Sequence, residues 1–204
     1  MACAAIGVVQ PLIEHDVDFD LAEAVKKSAN TQPIEVTGEV QKQILDFITG
    51  RLSVALKDAG YKYDVVDAVL AEQSANPAAS AETVKQLQAW VEREDWSTIL
   101  DGFARCVRIT RAQKETFKVD EKAFAEKEEK ALFAALQKTA NTQPLTINEF
   151  LETVAKLIPS INTFFDKVLV MAEDKKVKEN RLGLLQRIAA LSSGIADLSK
   201  LEGF

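Results

Sequence analysis

Histidine is almost missing from this chain: His15 is the only one in 204 residues. A metal centre would have to be built from carboxylates alone, and Ser-His-Asp or Cys-His catalysis would have to run through that one side chain. It stands between Glu14 and Asp16, where no serine or cysteine partner is suggested, so a solvated histidine at a helix end fits better than a base or a ligand. The ExxH pairs of di-iron helical bundles are absent as well. Glycine is scarce, with eight residues and none clustered, and neither GxGxxG nor a P-loop pattern occurs. No phosphate-cradling loop follows from such a chain. The two cysteines, Cys3 and Cys106, form no CxxC, which excludes a zinc knuckle or a disulfide framework and leaves two free thiols. No stretch nears the roughly 18 apolar residues of a membrane span, and the first residues lack the basic start and cleavage pattern of a signal peptide. A soluble cytoplasmic protein with no membrane partner is expected, and no self-contained catalytic site. Positive charge is also in deficit, 25 Lys and Arg against 31 Asp and Glu, so no global basic field marks a nucleic-acid binder.

What is present is ordinary globular material, 47% hydrophobic and 27% charged, enough for one large domain or two small ones. Apolar residues recur at helical spacing and strand-like alternation is rare, so the chain reads as all-α. Val40, Ile44, Phe47, Ile48, Leu52 and Ala55 stripe a helix over 39–58, and Gly60 is placed to stop it in the left-handed conformation. Asp64 can cap a helix over 65–72 that ends near Pro77. Further helices are predicted over about 80–93 and 96–114, and from an Asp120 cap to 138. The last third reads as helices over 148–157, from Pro159 to 172, and over 175–196, the last striped by Leu182, Leu185, Ile188, Ala189 and Ile195. Residues 1–35, with Pro11 interrupting an apolar run and a short helix near 20–27, are expected as a lead-in to a helical domain over 36–204. The word Ala-Asn-Thr-Gln-Pro occurs at 29–33 and again at 140–144, two uses of one interhelix loop chemistry rather than a solenoid repeat.

Charge is unevenly distributed. Between 105 and 118 the chain carries Arg105, Arg108, Arg111, Lys114 and Lys118 against one acid, Glu115. Spacings of three and four keep successive charges adjacent on a helix, a basic ridge that could fork onto successive RNA phosphates. The same residues could form a solvated face tied to Glu121, Glu126, Glu128 and Glu129. Single-stranded RNA also needs aromatic faces for stacking. Tyr61 and Tyr63, either side of Lys62 at a helix corner, are candidates, although corner tyrosines also serve to close a bundle. Trp90, Trp96, Phe164 and Phe165 read mainly as core.

Several segments together resemble one family, the β subunit of bacterial glycyl-tRNA synthetase, separate or fused, in its C-terminal anticodon-binding region. The strongest is Phe164-Phe-Asp-Lys-Val-Leu-Val-Met-Ala-Glu-Asp174, followed by Asn180-Arg-Leu-Gly-Leu-Leu185 and Ile195-Ala-Asp-Leu-Ser-Lys-Leu201. A second is Ile44-Leu-Asp-Phe-Ile-x-x-Arg51 through Gly60-Tyr-x-x-Asp-Val-Val-Asp-Ala-Val-Leu-Ala71, and the opening Ala4-Ala-Ile-Gly-Val-Val and Phe19-Asp-Leu fit the same order. Two departures stand out. Cys106 replaces a basic residue usual in the family's Ala-Asn-Lys-Arg-Val helix, with Arg108 and Arg111 supplying charge nearby. The chain is also much shorter than family β chains, and is expected to be a piece of a larger polypeptide with Met1 introduced at the cut.

The resemblance implies a multi-helix bundle similar to the anticodon-binding domain of the arginyl, cysteinyl and methionyl synthetases. It implies a glycine–tRNA ligase parent whose ATP and Mg bind elsewhere, with no cofactor or metal in this chain. The partners it implies are tRNA(Gly) and the remainder of the synthetase. The tRNA-binding candidates are then Arg105, Arg108, Arg111, Lys114, Lys118, Tyr61, Tyr63, Asp174, Asn180 and Arg181. Asp174 could equally cap the last helix and Arg181 pair with a neighbouring acid. The rival function is a helical docking or scaffold domain of the synthetase with little RNA contact.

Overall fold

The computed structural model describes residues 2–139, 143–144 and 146–204, with side chains from residue 5 onward. The Cys3 thiol and residues 140–142 of the second Ala-Asn-Thr-Gln-Pro word lie outside the described residues. Nine α-helices and no strand occur among those described, so the fold is all-α. Two compact units divide it: Met1–Val91 with Gly194–Leu201, and Glu92–Ser193 with Glu202–Phe204.

The first unit contains α1 (Ala2–Glu14), α2 (Leu21–Ala29), α3 (Gly38–Asp58), α4 (Tyr63–Gln73) and α5 (Pro77–Val91). The segment 1–35 lies within it, with α1 packed on α3 and α5 and α2 packed on α3. Pro11 does not interrupt α1. Both Pro11 and Gly7, whose carbonyl the proline cannot reach, are exposed, so that carbonyl stays solvated. Thr37 caps α3 by accepting from the Val40 amide. The helix ends as its glycine requires, Gly60 adopting φ +96° while the Tyr61 amide reaches back to the Leu56 carbonyl. Asp64 is not the cap of α4: Lys62 holds that position, and Asp64 is buried in the first turn, where it accepts from the Val65 amide at 3.0 Å. Its charge still faces the positive helix end. Pro77 opens α5 instead of closing α4, three residues ahead of the predicted start, because proline suits the first helical turn and the Asn76 side chain accepts from the Ala79 amide. The returning segment 194–201 is stitched to α4 by Asp197 N–H to the Ala68 carbonyl and Gly194 N–H to the Glu72 carboxylate.

The second unit contains α6 (Trp96–Thr110), α7 (Lys127–Thr139), α8 (Ile147–Lys167) and α9 (Lys175–Ala189). Its core joins Phe103 of α6 edge-on to Phe150 of α8, with ring centroids 5.2 Å apart, and is closed by Ile161, Phe164, Leu184 and Ile188. Trp96 is core here, as Trp90 is in the first unit. Three predicted boundaries are corrected. The helices expected either side of Pro159 are the single α8, opened by a capping box between Thr146 and Glu149. Pro159 is exposed, and Val154, Leu157, Ile158 and Ile161 are buried on both sides of it, which outweighs the one lost backbone bond. The helix expected from Asp120 is instead a short 3-10 turn at Glu121–Ala123 followed by α7, whose first turn is held by the Glu129 carboxylate accepting from the Glu126 amide at 2.6 Å. Finally, α9 stops at Ala189, and a 3-10 turn carries on to Ser192.

Candidate nucleic-acid interface

The basic run starts on α6 and leaves it. Thr110 ends the helix, its hydroxyl turned back onto the Cys106 carbonyl at 2.8 Å, and Arg111 caps the end. Arg105 and Arg108 are therefore helical and Arg111 terminal, whereas Lys114 and Lys118 ride on a non-helical segment, contrary to the continuous helical ridge the spacing suggested. The cause lies 60 to 70 residues downstream. The Gln186 side chain donates to the Glu115 carbonyl at 2.8 Å and accepts from the Phe117 amide at 2.9 Å. Asn180 repeats this pairing on Asp120, at 2.7 and 3.0 Å. Between them lies Gly183, where a Cβ would meet the Phe117 carbonyl oxygen at 2.8 Å. Asn180, Gly183 and Gln186, spaced by three, line one face of α9, and segment 115–120 is laid against it with its backbone bonded to side-chain amides.

The outward side of the run is open. Arg108, Arg111, Lys114 and Lys118 are exposed and Arg105 is half-buried. None of the five forms an ion pair among the described residues, although Lys156 in α8 and Lys175 in α9 pair with acids on their own helices. Two of the acids weighed as partners look elsewhere: Glu128 lies near Lys127, and Glu129 is wholly buried. The arginines rest on rings instead. Arg105 lies 4.3 Å from the Phe165 centroid, and Arg108 and Arg111 lie 5.4 and 6.0 Å from that of Phe204. This holds each guanidinium in place while leaving its charge unneutralised. Cys106, between the arginines in sequence, faces inward, and burial pushes its thiol up to about 12.

The other candidates divide. Asn180 and Arg181 are buried and engaged within the second unit. Arg181 donates to the Glu129 carboxylate and, at 2.8 Å, to the Leu169 carbonyl, joining α9 to α7. Asp174 is exposed and caps α9 through the Val177 amide at 3.0 Å. Tyr61 and Tyr63 belong to the first unit: Tyr63 is 57% exposed, and Tyr61 lines a hollow with Ile6, Arg51 and Ala81. The first unit also shows an apolar face not singled out in the sequence. It is a groove of about 440 Å³ lined by Val8, Phe19, Val25, Val36, Ile44 and Ile48, with Ile34 74% exposed.

Two family models match this chain: glycyl-tRNA synthetase beta subunit over residues 2–71, and DALR anticodon binding domain over residues 99–198. Among curated relatives, the glycine–tRNA ligase beta subunit of Moorella thermoacetica is 34% identical over 97% of this chain and 30% of its own length. The corresponding subunit of Alteromonas mediterranea is 32% identical, again over 97% of this chain and 30% of its own length. Nearly the whole chain is thus similar to one part of the glycyl-tRNA synthetase β subunit. A plant relative, the chloroplastic/mitochondrial glycine–tRNA ligase 2 of Arabidopsis thaliana, is 33% identical over 97% of this chain and 19% of its own length. The chain thus spans a third or less of the curated relatives it matches. The basic run, α8 and α9 all fall in the stretch that matches the anticodon binding domain model. Among the described residues no helix is long and apolar enough to cross a membrane, and no three His, Cys, Asp or Glu side chains are grouped to hold a metal ion.

Proposed function

We propose that this chain is the tRNA-binding part of a cytoplasmic glycyl-tRNA synthetase, noncatalytic by itself. It holds the anticodon arm of tRNA(Gly) so that the acceptor end reaches an aminoacylation site elsewhere in the enzyme. ATP and Mg belong to that distant site. Energy from gripping a remote arm serves catalysis by orienting the substrate, with no chemical group here taking part.

The observation that carries this reading is the run from Arg105 to Lys118. Five cations, none ion-paired among the described residues, lie in the stretch that matches an anticodon binding domain, in a chain whose net charge is −6. An acidic molecule with one unneutralised basic run orients an RNA by attracting it there and repelling it elsewhere. Titration with tRNA(Gly) at low and moderate salt tests it. Binding weakens as salt rises, and Arg111→Ala with Lys114→Ala lowers the slope of log K on log salt by about 1.4, two single-strand phosphate contacts' worth. An unchanged slope and affinity would remove the run from the interface.

A second surface supports a second partner. The apolar groove of the first unit lies in the stretch matching the β-subunit model, and the relatives extend far beyond the length of this chain. We propose that the remainder of the synthetase packs there. Its binding is insensitive to salt, unlike the RNA's.

A further inference from the structure

The crossing of α6 and α8 forms a pocket that the phosphate-binding role of the basic run does not require. At Gly102 the helices approach so closely that a Cβ would come within 2.5 Å of the Ile158 Cδ1. Beside this crossing lies a cavity of about 380 Å³ lined by Thr98, Asp101, Gly102, Arg105, Arg108 and Asn162. Every lining residue except the glycine is polar. One wall is preset: the Arg105 guanidinium lies 4.3 Å from the Phe165 ring centroid and donates to the Asn162 side-chain oxygen at 3.4 Å. Asp101, by contrast, has no hydrogen bond or ion pair among the described residues, although two arginines share its cavity.

We propose that this pocket receives one unstacked nucleobase of the bound RNA, a base that carries an amino group beside a carbonyl, as cytosine and guanine do. The inference rests on the tRNA-binding reading and adds to it where a base is read. A phosphate would have to approach the Asp101 carboxylate, whereas a base edge uses it. The carboxylate accepts from the base amino group, and Arg108 or the Asn162 amide donates to the carbonyl. Arg105, placed over the Phe165 ring, offers its other side to the base, so that ring, guanidinium and base stack in one pile. Adenine lacks the carbonyl and uracil the amino group, so each leaves one side of the pocket unsatisfied.

The test is binding of this chain to a tRNA(Gly) transcript and to transcripts with each anticodon-loop base changed singly. Circular dichroism and thermal melting establish that each variant is folded. At one loop position, removing the amino group, by replacing cytosine with uracil or, in a synthetic loop, guanine with hypoxanthine, weakens binding by roughly tenfold, the discrimination of one well-formed base contact. Asp101→Ala, at an exposed position, brings the paired transcripts within about twofold of each other, because the discriminating acceptor is gone. Arg105→Lys keeps the charge but removes the flat face, and weakens binding to every transcript several-fold. Salt-steep binding with no loop discrimination, or discrimination that survives Asp101→Ala, would overturn the pocket and leave the tRNA-binding reading standing. Absence of salt-dependent binding by the unaltered chain would overturn both.

Discussion

Gly183→Ala is the substitution whose effect the structure works out most fully. Taken alone, replacing a glycine inside a helix by alanine stabilises it by about 1 kcal/mol, because glycine loses more backbone freedom on folding. At Gly183 the new methyl meets the Phe117 carbonyl oxygen at 2.8 Å, its carbon at 3.2 Å and its Cβ at 3.3 Å. The nearest atom is backbone and cannot rotate aside, so residues 115–117 must lift off α9 while Asn180 keeps its hold on Asp120. The two Gln186 bonds to Glu115 and Phe117 are lost with that movement, at about 1 kcal/mol each. The helix gain cancels only half of that, so the variant loses about 1 kcal/mol, and any residual overlap adds to the loss. Gly50 in α3 is the matched control, exposed and with nothing within 4 Å of a Cβ. Gly50→Ala gains most of the helix term, so one exchange takes opposite signs at two helical sites. Urea denaturation with hydrogen exchange at residues 115–120 reads both quantities. Gly183→Ala as stable as the unaltered chain, with amide protection at Phe117 intact, would refute the docking of this segment by α9.

Other consequences follow from buried groups. Arg181→Met strands the Glu129 carboxylate, wholly buried between α7 and α9, and lowers denaturation stability by about 3–5 kcal/mol; pairing it with Glu129→Leu recovers part of the loss, and equal losses in the two variants would mean the ion pair is not what joins these helices. The Cys106 thiol is held up to about 12 by burial against an ordinary value of 9.0, so above pH 9 the unfolded chain releases this proton and the native chain does not. Stability is therefore unaffected by this group below pH 9 and declines from there towards pH 12. Against its own value at pH 7, the unaltered chain loses about 1.4 kcal/mol more at pH 10 than Cys106→Ala does. Parallel pH profiles for the two proteins would show that the thiol ionises freely in the native state.

Much of the fold could be read from local pattern, and where it could not, distant contacts decided. Helix α3 was legible from the spacing of Val40, Ile44, Phe47 and Leu52 and from Gly60, because a stripe and a left-handed stop are local properties. The end of α6 was not. Arginine spacing continues smoothly past Thr110, and nothing near it in sequence announces that Gln186 and Asn180 will claim the backbone of 115–120. The single helix through Pro159 was hidden for the opposite reason. Proline is a strong local signal, overridden here by apolar burial along the whole of α8. At the site, Arg105, Arg108, Arg111, Lys114 and Lys118 were visible as charge, but their supports were not. Phe165 was read mainly as core because it lies with Phe164 in an apolar helix. Adjacent helical residues point about 100° apart, and this geometry already implied that one of the pair could lie outside the core face.

Asn180 and Arg181 show why charge or polarity in a sequence motif does not by itself locate a binding surface. Arg181 is as cationic as Arg105, but it is only 5% exposed and spends its donors on Glu129 and Leu169. Burying a charge demands such partners, so in a well-formed core they are supplied. Arg105, Arg108 and Arg111 instead rest against Phe165 and Phe204, which fix a planar cation without satisfying its donors. The two treatments separate a cation that holds the fold from one left available to a ligand. On that criterion the interface we propose is centred on α6 and the segment after it, while α9 serves as the bed on which that segment lies.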